Sequence, residues 1–279
     1  MTTAPEPVAL VISDVDGTLL DEQKHLTPGA PAAVERLYVA GIRFTLASAR
    51  PPHMVRDLVS ALQVREPVAC FNGALIVAPD GTVLRELPML PSDAQLVAKR
   101  ILSDGFDLWV WTDKEWYVTN PTGPHVGHHE ELMGSRAHVL KTRDLATFDV
   151  LKLVGVSDDR DALARAEAEM SQLGAKSISA TRSSPYYLDV TEANANKGQV
   201  VVALSEMLHI EPAQIATIGD MITDTLMFRK SGVSIAMGNA FDDVKALATN
   251  VTKSNEEDGF AYAMDHFVLE LAGEQAAAD

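Results

Sequence analysis

At 279 residues and 47% hydrophobic content the chain can bury one large core or two modest ones. Its 39 acidic against 23 basic residues leave a formal charge of −16, which excludes a broad basic face for a nucleic-acid backbone and leaves anionic substrates to a few placed cations or a metal. The lone Cys70 excludes an intrachain disulfide framework, Met1–Pro7 shows no basic-then-apolar leader pattern, and no run reaches the roughly 20 apolar residues of a membrane span. A cytoplasmic protein without membrane or nucleic-acid partners is therefore expected.

Val8–Ser13 predicts a buried strand that runs out into Asp14-Val15-Asp16-Gly17-Thr18. Strand ends of parallel sheets open into ligand crevices, and Gly17 lets the backbone turn. Two acids this close repel unless a cation or a shared proton relieves them, so the pair implies Mg²⁺ binding, acid–base chemistry, or both. Pro28–Ala40 predicts a helix ended by Gly41, Phe44–Ser48 a strand, Pro52–Leu62 a helix and Pro67–Phe71 a strand, the alternation of a parallel sheet flanked by helices. Ser48 ends the second run with a hydroxyl suited to a phosphoryl oxygen, and Arg50 offers a planar cation for an anion or a carboxylate. Asn72-Gly73 ends the third run as a tight turn or a substrate contact.

The middle of the chain changes grammar. Ala74–Val77 and Thr82–Glu86 flank Pro79-Asp80-Gly81 as an antiparallel hairpin. A helix at Ser92–Leu102 follows, then strands at Phe106–Thr112, Trp116–Thr119 and Val150–Val156, a helix at Asp159–Leu173, and strands at Lys176–Ala180 and Tyr186–Val190. Hairpins within a parallel-sheet protein predict an inserted α+β domain at residues 80–187, with 1–79 and 188–279 forming the core. Trp109, Trp111 and Trp116 are expected to pack its sheet. His125, His128, His129 and Glu130 are expected in a solvated loop or polar wall toward substrate rather than in a metal site. Arg182, Ser183 and Tyr187, near the return to the core, are candidate specificity residues.

The parallel grammar then resumes. Lys197–Leu208, Thr223–Lys230 and Asp242–Ala248 read as helices, Gln214–Ile218 and Val233–Met237 as strands, and Val251–Lys253 as a last short one. Lys197 begins its helix and can reach a neighbouring site, while Asp220 and Asp224 form a second acidic cluster after an apolar strand. Oxygen ligands from two loops suit Mg²⁺. Ala272–Asp279 is expected to fray.

Asp14-Val15-Asp16-Gly17-Thr18, then Ser48, Lys197, and Gly219-Asp220 with Asp224, resemble the four motifs of the haloacid dehalogenase-like superfamily of phosphohydrolases. Asn72-Gly73-Ala74, Asn196-Lys197-Gly198, Ala236-Met237-Gly238-Asn239-Ala240 and Glu257-Asp258-Gly259-Phe260 resemble its Cof-type branch, whose large α/β cap lies between the second and third motifs. The resemblance implies an α/β fold, a Rossmann-like parallel sheet core flanked by helices with an inserted α+β cap, acting on a small phosphorylated metabolite, sugar phosphates among them, as a monomer or homodimer. It implies Asp14 as nucleophile, and Asp16 as acid–base partner with a pKa held above its free value. Asp14, Asp16 through its backbone carbonyl, Asp220 and Asp224 would hold Mg²⁺, and Ser48 and Lys197 the transferring oxygens. Arg50, Asn72, Gly73 and Arg182 are the candidate substrate contacts. Thr223 stands where the branch usually has Asn, which bears on the orientation of the acidic loop. A phosphomutase or a non-catalytic metabolite-binding protein on the same fold would share most of these residues.

Overall fold

The computed structural model describes residues 7–141, 145–173 and 177–270; the expected frayed end at 272–279 and Lys176, the first residue of an expected strand, lie outside them. In chain order the elements are β1 (Leu10–Ser13), α1 (Ala30–Val39), β2 (Arg43–Leu46), α2 (Pro52–Ala61), β3 (Val68–Cys70), β4 (Leu75–Val77), β5 (Val83–Glu86), α3 (Pro91–Ser103), β6 (Asp107–Trp111) and β7 (Trp116–Val118). There follow α4 (Val126–Met133), β8 (His138–Val139), β9 (Lys152–Val156), α5 (Arg160–Leu173), β10 (Ile178–Ser184), β11 (Tyr187–Glu192), α6 (Lys197–Leu208), β12 (Ile215–Gly219), α7 (Thr225–Phe228), β13 (Val233–Ala236), α8 (Asp242–Lys245), β14 (Asn250–Val251) and α9 (Gly259–Ala263).

The principal sheet is fully parallel, in the order β14-β13-β12-β1-β2. Every residue of β1 and β12 is buried, as expected for strands covered on both faces. The chain winds outward in opposite directions from β1, so the crevice beyond its carboxyl end is a topological switch point. Register sets what meets there: Ser13 lies between Ile218 and Leu46, which brings the residues following β1, β12 and β2 to one edge.

A second sheet of six strands runs β10-β11-β9-β6-β7-β8 and is antiparallel apart from the β7–β8 pair. Alternation along its strands sends Leu108, Val110, Leu153, Leu188 and Val190 into the core beneath α3 and α5. The alternate residues Trp109, Trp111, Val154 and Tyr187 join the core cluster that also contains Phe44 and Phe71. Trp111 lies 5.8 Å from Phe71, centroid to centroid, so this face looks onto the first sheet. The tryptophans pack the sheet as expected.

The differences from the sequence reading have local causes. Pro67–Phe71 was expected to extend the parallel sheet, but β3 touches it through a single bridge, Ala47 to Ala69, and pairs antiparallel with β4. Phe71, Asn72 and Gly73 have φ of 50, 57 and 102°, which reverses the chain. The segment around His125–Glu130 is not a loop but opens α4, whose buried Val126 and half-buried His129, 5.0 Å from the Trp109 ring, dock it on the tryptophan face. Gly134 in the left-handed region ends that helix. The helices α7 and α8 are shorter than their periodicity predicts.

On the tryptophan face Lys152 and Asp189 form a buried ion pair at 3.0 Å, and the Lys152 ammonium also donates to the Ala49 carbonyl at 3.4 Å. Lys152→Met is expected to destabilise the protein by about 3–5 kcal/mol, because Asp189 is left charged and buried. Adding Asp189→Leu should recover most of that loss in urea unfolding, whereas a double variant as unstable as the single one would contradict it.

Candidate active site

Asp14 follows β1 directly, and its N–H donates to the Ile218 carbonyl at 2.9 Å, which continues the β1–β12 ladder by one residue. It is 5% exposed. The ammonium of Lys197, at the first turn of α6, donates to the Asp14 carboxylate at 2.6 Å and to Asp224 as well. Asn196 caps α6 by accepting from the Gln199 N–H at 3.1 Å, which fixes where that turn begins. One carboxylate oxygen from each of Asp14, Asp220 and Asp224 can be chosen so that all three lie within 4.8 Å of one another.

The three acids are not equivalent. Asp224 is spent on structure: one oxygen takes Lys197, and the other accepts the N–H groups of Asp220 at 2.9 Å and Met221 at 2.8 Å. Those bonds orient the acidic loop without Thr223, and the Thr225 hydroxyl closes it onto the Ile222 carbonyl at 2.7 Å. Asp220 keeps a buried oxygen with no hydrogen-bond partner among the described residues. Gly17, at φ +77°, passes so near that a Cβ there would lie 2.3 Å from Asp220 Oδ2. Only glycine accommodates both that backbone and that approach.

Burial, opposed by Lys197 and reinforced by Asp224 and Asp220, raises the Asp14 pKa well above the carboxylate range. Burial and the nearby Asp224 raise Asp220 to about 7. Lys197 is disfavoured by burial, but Asp14 and Asp224 outweigh that and hold it charged. An all-oxygen set with excess negative charge and an unpartnered buried oxygen fits a hard dication.

Asp16 departs from expectation. Burial opposes its ionisation, but the Arg50 fork, at 2.7 Å to each oxygen, and Lys24, at 2.9 Å, outweigh it and lower the pKa to about 2. Nearby cations, not anions, surround this carboxyl, so the raised pKa expected of it is corrected to a lowered one. Its side chain also stands apart from the three clustered acids.

Ser48 is 1% exposed after β2; its Oγ accepts from the Arg50 N–H at 3.1 Å and its carbonyl from the Asn72 N–H at 2.8 Å. Asn72 and Gly73 thus adjoin the Ser48 loop, and a Cβ on Gly73 would lie 2.6 Å from Val200 of α6. Arg182 is not brought into this group. It shares the parity of Ala180 on β10, faces α5, and pairs with Glu167 at 2.8 Å. Two residues were not singled out from sequence. Asn239 joins Gly17 to Asp220, at 2.9 and 3.4 Å, and Lys24 reaches Asp16. Asn239 lies within a motif already noted, whereas nothing local marks Lys24.

Since Asp220 must lose its proton to ligate a cation, Mg²⁺ affinity is expected to rise from pH 6 to pH 8 with release of about one proton per ion. Calorimetry in buffers of different ionisation enthalpy reads this, and a pH-independent affinity would contradict it. The sign for stability is opposite in the metal-free protein. A folded pKa raised above 3.8 gives stability that is present at low pH and lost as pH rises through about 7.

The chain has counterparts among known proteins. A sequence profile of the haloacid dehalogenase-like hydrolases matches residues 11–264. A 5-amino-6-(5-phospho-D-ribitylamino)uracil phosphatase of Bacillus subtilis (strain 168) is 29% identical across 94% of this chain and 98% of its own. An HMP-PP phosphatase of Cronobacter sakazakii is 27% identical across 84% and 85%. The crystal structure of a haloacid dehalogenase-like hydrolase from Bacteroides thetaiotaomicron superposes with a TM-score of 0.81 at 25% identity, covering 93% of this chain and 99% of that one. Among the described residues no helix is long and apolar enough to cross a membrane.

Proposed function

The chain belongs to the haloacid dehalogenase-like hydrolases, in the Cof-type branch, and is a phosphoric monoester hydrolase; on that premise we propose that it hydrolyses small phosphorylated metabolites through an aspartyl phosphate on Asp14, with Mg²⁺ as cofactor. The observation that carries this reading is the clustering of Asp14, Asp220 and Asp224 at the carboxyl ends of parallel strands, with the Lys197 ammonium on Asp14 and Asp224.

Asp14 is the nucleophile: one oxygen attacks phosphorus while Lys197 holds the other and works against the burial that favours the protonated carboxyl. The Ser48 hydroxyl and Lys197 hold phosphoryl oxygens as charge shifts across them. Asp16 gives a proton to the leaving oxygen and takes one from the attacking water, which requires Arg50 and Lys24 to withdraw and the carboxyl to take up a proton from solvent first. Asp14, Asp220 and the Asp16 backbone carbonyl would hold Mg²⁺, with Asp224, whose oxygens are engaged by Lys197 and its own loop, contributing through water. Bound there, the ion would supply positive charge that offsets that of the acids and of the phosphate dianion. Arg50, Asn72 and Gly73 border the substrate, and residues 80–187 act as a cap over the core formed by 1–79 and 188–279. The cytoplasm is the compartment this reading assumes.

A screen of phosphorylated metabolites, scored by free phosphate with Mg²⁺ and with a chelator, tests the proposal. Metal-dependent phosphate release is the expected result. Isomerised phosphosugar without free phosphate would instead make the protein a mutase, and no turnover of any ester would remove the catalytic reading.

A further inference from the structure

Lys152 and Asp189 are 7% and 3% exposed on the face of the second sheet that looks onto the first, and the proposed chemistry uses neither. A buried ion pair stabilises a fold no more than well-packed apolar residues of the same volume do, so stability alone does not account for this one. The pair has a further contact. The Lys152 ammonium reaches out of its own sheet, donating to the Ala49 carbonyl at 3.4 Å and lying 5.5 Å from the centre of the Phe71 ring.

Ala49 stands between Ser48 and Arg50, and the three consecutive carbonyls of this loop are each taken by a different donor. The Ser48 carbonyl accepts from the Asn72 N–H at 2.8 Å and the Arg50 carbonyl from the Phe71 N–H at 3.1 Å. Of the three, only the Ala49 carbonyl is held from the second sheet. That carbonyl and the Arg50 N–H belong to one planar trans peptide, so they point to opposite sides and turn together. The Arg50 N–H donates to Ser48 Oγ at 3.1 Å. A hydroxyl that accepts there directs its own proton elsewhere, which leaves it free to donate to a phosphoryl oxygen. Lys152 thus grips one end of the peptide whose other end orients Ser48.

Resting on the phosphatase reading above, we infer that Lys152 is a positioning residue for Ser48: it holds the Ala49–Arg50 peptide and through it the Ser48 hydroxyl, while Asp189 holds Lys152. The site is then complete only when the second sheet is docked on the first.

Lys152→Met with Asp189→Leu removes the ammonium together with the charge it balances, and the fold is expected to survive that exchange. Hydrogen exchange at the Arg50 amide of the metal-free protein should quicken about tenfold, because the peptide can then turn its N–H to solvent. For whichever ester the wild type hydrolyses, kcat should fall about tenfold with KM little changed, since Ser48 acts on charge that develops in the transition state. In a Ser48→Ala background the same two changes should lower kcat no further, whereas a general loosening of the protein would add its effect to that of Ser48→Ala. Lys152→Gln with Asp189→Asn, a polar pair of similar size whose donor is one bond shorter, gives the same readings if the apolar pair does not fold. Unchanged exchange at Arg50, an unchanged kcat, or losses in kcat that add would overturn the inference even if phosphate is released. Quickened exchange in a protein that hydrolyses no ester upholds the hold of Lys152 on the Ser48 loop while the phosphatase reading fails.

Discussion

Asp14→Asn is expected to stop phosphate release, with a loss of roughly 10⁴-fold or more in kcat, while leaving the metal-free protein at least as resistant to heat as the wild type. The two halves of this prediction have one cause. The carboxylate is the proposed attacking group, and an amide of the same shape cannot form the aspartyl phosphate. Yet the same carboxylate is buried beside Asp220 and Asp224, and the single Lys197 ammonium offsets only part of their repulsion. Replacing one charge by a neutral amide relieves that repulsion, and the amide oxygen still accepts from Lys197. The stabilisation that Mg²⁺ confers should shrink in the variant, since one charged oxygen of the set is gone. Thermal melts with and without the ion, alongside a phosphate-release assay, read both halves. Substantial residual turnover would remove Asp14 as nucleophile, and a large drop in metal-free melting temperature would contradict the electrostatic account.

Lys197→Met should be the most damaging single change for stability and activity together. Lys197 is 4% exposed and is the ammonium shared by Asp14 and Asp224, themselves 5% and 0% exposed. Removing one partner of such a group costs about 3–5 kcal/mol, because the remaining charges stay buried and uncompensated. The sign of the pH dependence follows. Without the ammonium, Asp14 and Asp220 have folded pKa values raised further above their unfolded ones, so stability is present at low pH and falls as pH rises. Urea unfolding at pH 5.5 and pH 8 should show the variant markedly weaker at the higher pH, with Mg²⁺ restoring part of the difference. Activity should not return with the ion, since no side chain then replaces the ammonium that holds the phosphoryl oxygens. A variant equally stable at both pH values would show that the carboxylates are not coupled through Lys197.

Much of the parallel core was legible in the sequence because its signals are local. The apolar run ending at Ser13, the proline and glycine limits of α1 and α2, and the Asp-Gly turn between β4 and β5 each depend on a few adjacent residues. The segment behind α4 was misread for the complementary reason. Its histidines and flanking glycines resemble a loop until the tryptophan face gives Val126 and His129 something to pack against. Arg182 was singled out for lying near the chain's return to the core, but strand parity turned it toward α5 and Glu167.

The sequence by itself determined which residues could carry the chemistry: acids at strand ends, a small hydroxyl at Ser48, a lysine opening a helix, and the order in which they occur. Only the tertiary structure decided what each does. It brought Lys197 onto Asp14 across a separation of 183 residues, spent Asp224 on the backbone of its own loop, and left an oxygen of Asp220 without a partner among the described residues. It also set Arg50 and Lys24 against Asp16, reversing the sign of the pKa shift expected there. The physical reason is that a side chain's type is written locally, whereas its charge state and its free hydrogen-bonding capacity depend on burial and on neighbours supplied by distant strands.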